Sequence, residues 1–216
     1  MYADYKGGRS KTPGEFIEQM PYFNVLLDAW GIPHYRLNQY EADDIIGTLA
    51  KQGEAAGYEV VVLSGDKDLI QLADNNITVK ITTKGVTELV EYTPEVIFEK
   101  YGLTPEQIID MKGLMGDSSD NYPGVTKVGE KTAVKLLQEF GSVEGIYEHV
   151  DEMKKSKLKE NLINDKELAF LSKKLARINV ESPLEITLED TLRKEQDVEA
   201  LMAFYKEMNF NSFQSD

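Results

Sequence analysis

Seven carboxylates fall in three short stretches of this 216-residue chain, and no histidine or cysteine stands beside any of them. In Tyr40-Glu41-Ala42-Asp43-Asp44-Ile45-Ile46-Gly47, three acids crowd the first turn of a predicted helix. The helix dipole favours acids there, which accounts for one or two of them. Glu41 and Asp44 lie one turn apart, and their mutual repulsion is relieved if a cation sits with them. The second stretch, Ser64-Gly65-Asp66-Lys67-Asp68, directly follows an apolar run. Asp66 or Asp68 is either a helix N-cap or a ligand placed outside the carboxyl end of a strand, where open α/β sheets build their sites. The third, Gly113-Leu114-Met115-Gly116-Asp117-Ser118-Ser119-Asp120-Asn121, is either a self-bonded polar turn or a loop that aims Asp117 and Asp120 the same way. An oxygen-only donor set suits a hard cation, Mg²⁺ or Mn²⁺, and not zinc.

Two other stretches are suited to phosphate. In Pro123-Gly124-Val125-Thr126-Lys127-Val128-Gly129-Glu130-Lys131-Thr132-Ala133, glycines allow a ligand close to the backbone and lead into a helix N-terminus with free N–H groups. Lys127, Lys131 and Lys135 recur every four residues, either as a solvated face or, with the glycine turn before them, as a sequence-independent phosphodiester clamp. Near the start, Tyr5-Lys6-Gly7-Gly8-Arg9-Ser10-Lys11 is basic with one aromatic. It is either a disordered start or a loop whose Lys6 and Arg9 meet phosphates while Tyr5 stacks on a base.

The elements that must position these residues follow from spacing. Thr12-Pro13, Thr93-Pro94 and Thr104-Pro105 predict three helix starts, with Glu15 or Gln107 placed to close a capping box. After the first, Phe16, Met20, Phe23, Leu26, Leu27 and Trp30 keep helical spacing and are expected to form a core face. A helix is predicted from about Glu41 to Ala56, then a fully buried strand over Val60-Val61-Val62-Leu63, the pattern of a parallel sheet. A short helix should span Asp68 to Ala73. Ile77, Val79 and Ile81 alternate, Thr83-Lys84-Gly85 turns, and Thr87 and Leu89 return as a strand. From Pro94 onward the chain reads almost wholly helical. The fold class is α/β with a mostly helical C-terminal half: residues 1–115 as an α/β core, 116–216 as a helical subdomain. His34 and His149 stand apart from the acids and are assigned surface or core roles.

Composition sets limits on this. With 41% apolar and 29% charged residues, the chain can bury a substantial core. No cysteine is present, so disulfides and thiol chemistry are excluded. The net charge of −14 argues against nucleic acid unless acids and bases are segregated, as these motifs are. No stretch has the length of a membrane span, and the first residues lack a signal-peptide apolar region, so a soluble, cytoplasmic protein is expected.

Taken in order, YKGGRSKTP, YEADDIIGTLA, VLSGDKDLIQL, IIDMKGLMGDSSDNYPGV and VGEKTAVKLL resemble the 5′-nuclease domain of bacterial DNA polymerase I, in the flap endonuclease superfamily. The resemblance implies a PIN-like, Rossmann-like core with a helical arch, and a helix-hairpin-helix type motif over about 116–141 that grips duplex DNA. It implies metal-assisted hydrolysis of phosphodiester bonds at 5′ flaps, nicks and RNA primers in replication and repair. By matching positions, Glu41, Asp43 and Asp44 resemble ligands of a first metal ion, and Asp66, Asp68, Asp117 and Asp120 those of a second. Lys6 and Arg9 resemble arch-base residues that steer the scissile phosphate. Tyr5, Lys11, Gly124, Val125, Lys127, Val128, Gly129, Lys131, Thr132 and Lys135 are the implied DNA contacts, with a potassium ion held at the Gly124–Gly129 turn. A nucleoid-associated bacterial protein is implied, covalently joined in its parent to a polymerase domain that this chain lacks.

Family members start with a strand ending in Asp-Gly, whereas Met1 here aligns inside the arch region. On that comparison two first-site carboxylates and central strands are expected to be missing, with weak cleavage and low stability as consequences. Two competing readings remain: a noncatalytic DNA-binding remnant, and a Mg²⁺-dependent small-molecule phosphohydrolase that leaves the lysine stripe unused.

Overall fold

The computed structural model describes residues 3–214. It consists of two compact units, each built from two stretches of chain: the residues up to Arg9 with Asp43–Ser182, and Ser10–Ala42 with the residues from Pro183 onward.

The larger unit carries a three-stranded sheet in the order β1 (Val60–Ser64), β2 (Ile77–Lys84), β3 (Glu88–Tyr92). β1 and β2 run parallel, with Val62 opposite Val79, and β3 returns antiparallel. The alternation read at Ile77, Val79 and Ile81 is present, all three side chains being buried. The fully buried strand expected at 60–63 is not. Val62 is buried, but Val61 and Leu63 are 58% and 62% exposed, because β1 lies at the sheet edge with one face covered. The short helix expected over Asp68 to Ala73 is present as a 3-10 helix over Lys67–Leu72, which sends Leu69, Ile70 and Leu72 into the core.

Among the described residues, seven α-helices complete this unit: α2 (Ala42–Ala55), α3 (Pro94–Tyr101), α4 (Pro105–Met115), α5 (Glu130–Phe140), α6 (Val143–His149), α7 (Lys157–Asn164) and α8 (Lys166–Ala176). The Thr-Pro signals at α3 and α4 act as expected. Thr93 Oγ1 accepts from Val96 N, and Thr104 with Gln107 forms the full capping box. α4 lies at the centre, burying Ile108, Ile109, Met111 and Leu114. It also buries Asp110, which accepts from Val143 N at 2.9 Å and pairs with Lys173 Nζ of α8 at 2.6 Å.

In the smaller unit, α1 (Gly14–Ala29) packs through its last turn on α9 (Val198–Glu207). Ala29 is buried with Leu201, Phe204 and Tyr205, and Leu26 and Trp30 pack beside them. Trp30 Nε1 donates to Tyr205 Oη at 3.1 Å. The predicted core face over α1 is therefore only partly realised. Phe16, Met20 and Phe23 are each about half exposed, since helical spacing marks a face that wants cover and α9 packs only against the far end. Thr12 does not cap; Pro13 holds the cap position with no side-chain bond. His34 bonds Asp28 at 2.8 Å and His149 sits edge-on to Phe140, both away from the acid stretches.

Candidate active site

The second and third acid stretches converge around one lysine. Asp66 caps the 3-10 turn by accepting from Asp68 N at 2.9 Å, which turns the Asp68 carboxylate toward α4. Lys112, on the last turn of α4, places its Nζ 3.1 Å from Asp68 Oδ1 and 3.3 Å from Asp117 Oδ2. Asp117 is fixed from its other oxygen, which accepts from Ser119 N at 2.8 Å and from the Ser119 hydroxyl. Its backbone pairs in both directions with Tyr122, closing the loop. Asp120 is buried and pairs with Arg9, while its carbonyl accepts from Lys6 N at 2.7 Å.

Residues 4–9 of the basic N-terminal stretch lie against the third acid loop. Asn121 Nδ2 donates to Asp4 O at 2.6 Å, Tyr5 packs 6.3 Å from the Tyr122 ring, and Lys6 Nζ lies 5.0 Å over Tyr5.

Electrostatics in the cluster are mixed. Burial pushes the Asp68 carboxyl above its ordinary value, with Lys112 working against that and Asp66 reinforcing it. For Asp117 burial is outweighed by the bonds to Ser119 and Lys112, which hold its carboxyl low. Burial also opposes the charge on Lys112, but Asp68 and Asp117 outweigh it and keep the ammonium firmly protonated. The Tyr122 hydroxyl is raised by burial and by Asp68, Asp117 and Asp120. Asp68 Oδ1 and Tyr122 Oη are the buried side-chain polar atoms without a hydrogen bond among the described residues. Asp68 and Asp117 offer only oxygen donors, the type that suits a hard divalent cation, and Asp68 Oδ1 is met by its ion pair to Lys112. Among the described residues, no three acid or imidazole groups already stand as a closed cage, and the cation between Asp68 and Asp117 is Lys112.

The first acid stretch is arranged differently. Asp43 and Asp44 occupy the first turn of α2, and Glu41 precedes it. Asp44 Oδ1 accepts from Asn179 N at 2.9 Å, and its carbonyl accepts from the Thr48 hydroxyl at 2.7 Å. Asp44 therefore anchors the 179–182 segment.

The glycine stretch forms a tight hairpin between α4 and α5. Gly124 has φ +61°, and a Cβ there would fall 2.3 Å from Gly116 N, so only glycine admits this approach. Gly124 N donates to the buried Ser172 hydroxyl, Val125 N to Leu114 O, and Thr126 N to Asp165. Val125 and Val128 are buried, and Lys127 takes a left-handed φ of 62°. Gly129 caps α5 with no side chain, and Lys131 and Lys135 project exposed one turn apart. Thr132 is half-buried, and Lys11 is exposed in the smaller unit.

Two family models match this chain: the 5′-3′ exonuclease N-terminal resolvase-like domain over residues 1–102, and the 5′-3′ exonuclease C-terminal SAM fold over residues 103–199. The chain belongs to the 5′-3′ exonuclease family. DNA polymerase I of Lactococcus lactis subsp. cremoris is 61% identical over 217 residues, covering all of this chain and 25% of that protein. DNA polymerase I of Streptococcus pneumoniae is 62% identical over 97% of this chain and 24% of its own length. The chain spans about a quarter of the curated relatives it matches. Among solved structures, T5 5′-exonuclease with bound zinc matches at TM-score 0.69 and 25% identity, over 97% of this chain and 77% of that one.

Lys112 and Tyr122 were not singled out from sequence. Lys112 carries a faint signal, standing five residues before Asp117 at a helix end. Tyr122 carries none, since a tyrosine before Pro123 looks like any loop aromatic.

Proposed function

We propose that this chain is a structure-selective, divalent-metal-dependent 5′-nuclease acting on DNA with 5′ flaps, nicks or RNA primers, in bacterial replication and repair. The observation that carries the proposal is that Lys112, at the end of the helix that leads into the glycine hairpin, draws Asp68 and Asp117 together, with Asp66 bonded to the Asp68 N–H and Asp120 paired with Arg9 beside Lys6.

Asp66, Asp68, Asp117 and Asp120 would hold one ion, with Glu41, Asp43 and Asp44 as ligands for another; Mg²⁺ or Mn²⁺ suits these oxygens. A divalent cation supplies Lewis-acid charge that lowers the pKa of water and steadies a leaving oxygen. The chain's own residues do the positioning. Arg9 and Lys6 offer cationic donors to the scissile phosphate, and Tyr5 offers a face on which a base can stack. Lys127, Lys131, Thr132 and Lys135, with the hairpin backbone at Lys127 and Gly129, hold a duplex backbone without reading sequence, while the N–H groups of Gly124, Val125, Thr126 and Val128 are engaged within the chain. Lys11 adds a further phosphate contact, and carbonyls of the hairpin would hold potassium. The bacterial relatives support a cytoplasmic setting, with a polymerase domain joined in the parent protein.

The alternative is a DNA-binding module without chemistry, favoured by the lack of a closed carboxylate cage among the described residues. Labelled 5′-flap DNA separates the two, with binding followed in Ca²⁺ and cleavage in Mg²⁺. Metal-dependent release of the flap that Asp117→Asn abolishes supports the nuclease. Tight binding with no cleavage supports the module, and no binding rejects both.

A further inference from the structure

A cavity of about 270 Å³ lies between the end of α3 and the outer face of α5, lined by Lys100, Tyr101, Glu130, Lys131, Lys135 and Gln138. Its walls are fixed. Gln138 Nε2 of α5 donates to Tyr101 O at the end of α3 at 2.8 Å. Lys100 is oriented from below, its Nζ donating to Tyr92 Oη at 3.0 Å and lying 5.0 Å over the same ring. Tyr92 is 2% exposed, so the lysine is braced on the core.

Both partners of Lys100 are parts of a neutral side chain, so its charge is not cancelled. Among the described residues, no carboxylate comes within ion-pair distance of Lys100, Lys131 or Lys135. Lys51, Lys80, Lys112 and Lys173, by contrast, each pair with an acid. One acid, Glu130, faces three ammonium groups across the cavity. In a chain of net charge −14 this is a local positive field, continuous with the face of α5 already assigned to DNA.

We propose that Lys100 is a DNA-binding residue, extending the lysine face of α5 into a three-lysine surface that contacts a duplex phosphate beyond the reach of the hairpin and α5 alone. This rests on the reading of α5 as a DNA-binding helix. An ammonium braced on a buried tyrosine offers a point charge to phosphate and reads no base, which is the role of a backbone contact.

The test is fluorescence anisotropy of the full chain with labelled 5′-flap duplex in Ca²⁺ over a fourfold range of salt. Losing one phosphate contact lowers the slope of log K against log salt by about 0.9, so the wild-type advantage over Lys100→Gln should shrink about threefold across that range. Lys100→Arg keeps the charge and should restore both affinity and slope. Lys84→Gln, at the end of β2, should leave both at the wild-type value. Weakened binding by Lys131→Glu together with wild-type affinity and slope for Lys100→Gln overturns the role of Lys100 and leaves the α5 assignment standing. No effect of Lys131→Glu, or no binding by the wild type, overturns both. Weak binding by Lys100→Gln and Lys100→Arg alike, with an unchanged slope, assigns Lys100 to bracing Tyr92 and also overturns the proposal.

Discussion

Replacing Lys112 by methionine removes the cation that stands between Asp68 and Asp117 while keeping an unbranched apolar stem of similar reach. The side chains of Asp68 and Asp117 are 13% and 15% exposed, so neither carboxylate regains full hydration. Asp117 keeps its bonds from Ser119, and the loss therefore falls on Asp68, whose Oδ1 has no hydrogen bond to replace the ion pair. Breaking a buried pair from one side costs about 3 kcal/mol. Burial already raises the Asp68 carboxyl, and without Lys112 it rises further. A carboxyl raised in the folded state binds its proton more tightly than in the unfolded chain, so stability returns as pH falls. Urea denaturation in EDTA should show a loss near about 3 kcal/mol at pH 8 and well under half of that at pH 5, with the m-value unchanged. Added Mn²⁺ should stabilise the variant more than the wild type, since the ion supplies the missing positive charge. An equal loss at both pH values, or a loss below about 1 kcal/mol at pH 8, would refute the idea that Lys112 serves as the internal counter-cation.

Two backbone substitutions separate close approach from conformational strain. Gly124→Ala combines a φ of +61° with a Cβ 2.3 Å from Gly116 N and should cost more than about 3 kcal/mol by chemical denaturation. Gly141→Ala has φ +85° but open space and should cost about 1 kcal/mol. Lys173→Met strands the buried Asp110 and should cost about 3 kcal/mol, of which adding Asp110→Asn recovers part because Asn still accepts from Val143 N. Burial opposes the charge on Lys173, but Asp110 and Glu144 outweigh it and hold the ammonium above its ordinary 10.5. Its contribution is therefore full below about pH 10.5 and lost as pH rises through the folded value, and an alkaline melting series should show Lys173→Met converging on wild type.

What was legible in the sequence was mostly local. Thr93 and Thr104 announce helix starts because a threonine cap followed by proline uses only neighbouring backbone, although Thr12 before Pro13 does not cap. The alternation at Ile77, Val79 and Ile81, and the glycines of the hairpin, are likewise signals written in a few consecutive residues. The misreadings concern cover. Helical spacing at Phe16, Met20 and Phe23 and the apolar run at Val61 and Leu63 state that a face is apolar, and nothing in them says what packs on it. The site was legible as three acid stretches and a basic loop, but not as an arrangement. Arg9 meets Asp120 across 111 residues, and Lys112 reaches back to Asp68. The buried pair Asp110 and Lys173 was invisible for the same reason, each lying in a helix where charged residues are ordinarily solvated.

The most direct measurement of the central claim is a Mn²⁺ titration of the metal-free protein followed by electron paramagnetic resonance, with wild type beside Asp68→Asn and Asp117→Asn. Saturable binding by the wild type that both variants lose, while they keep the wild-type fold by circular dichroism, is the predicted result. Binding of equal strength in all three, or none in the wild type, would contradict the assignment of these carboxylates to a divalent cation.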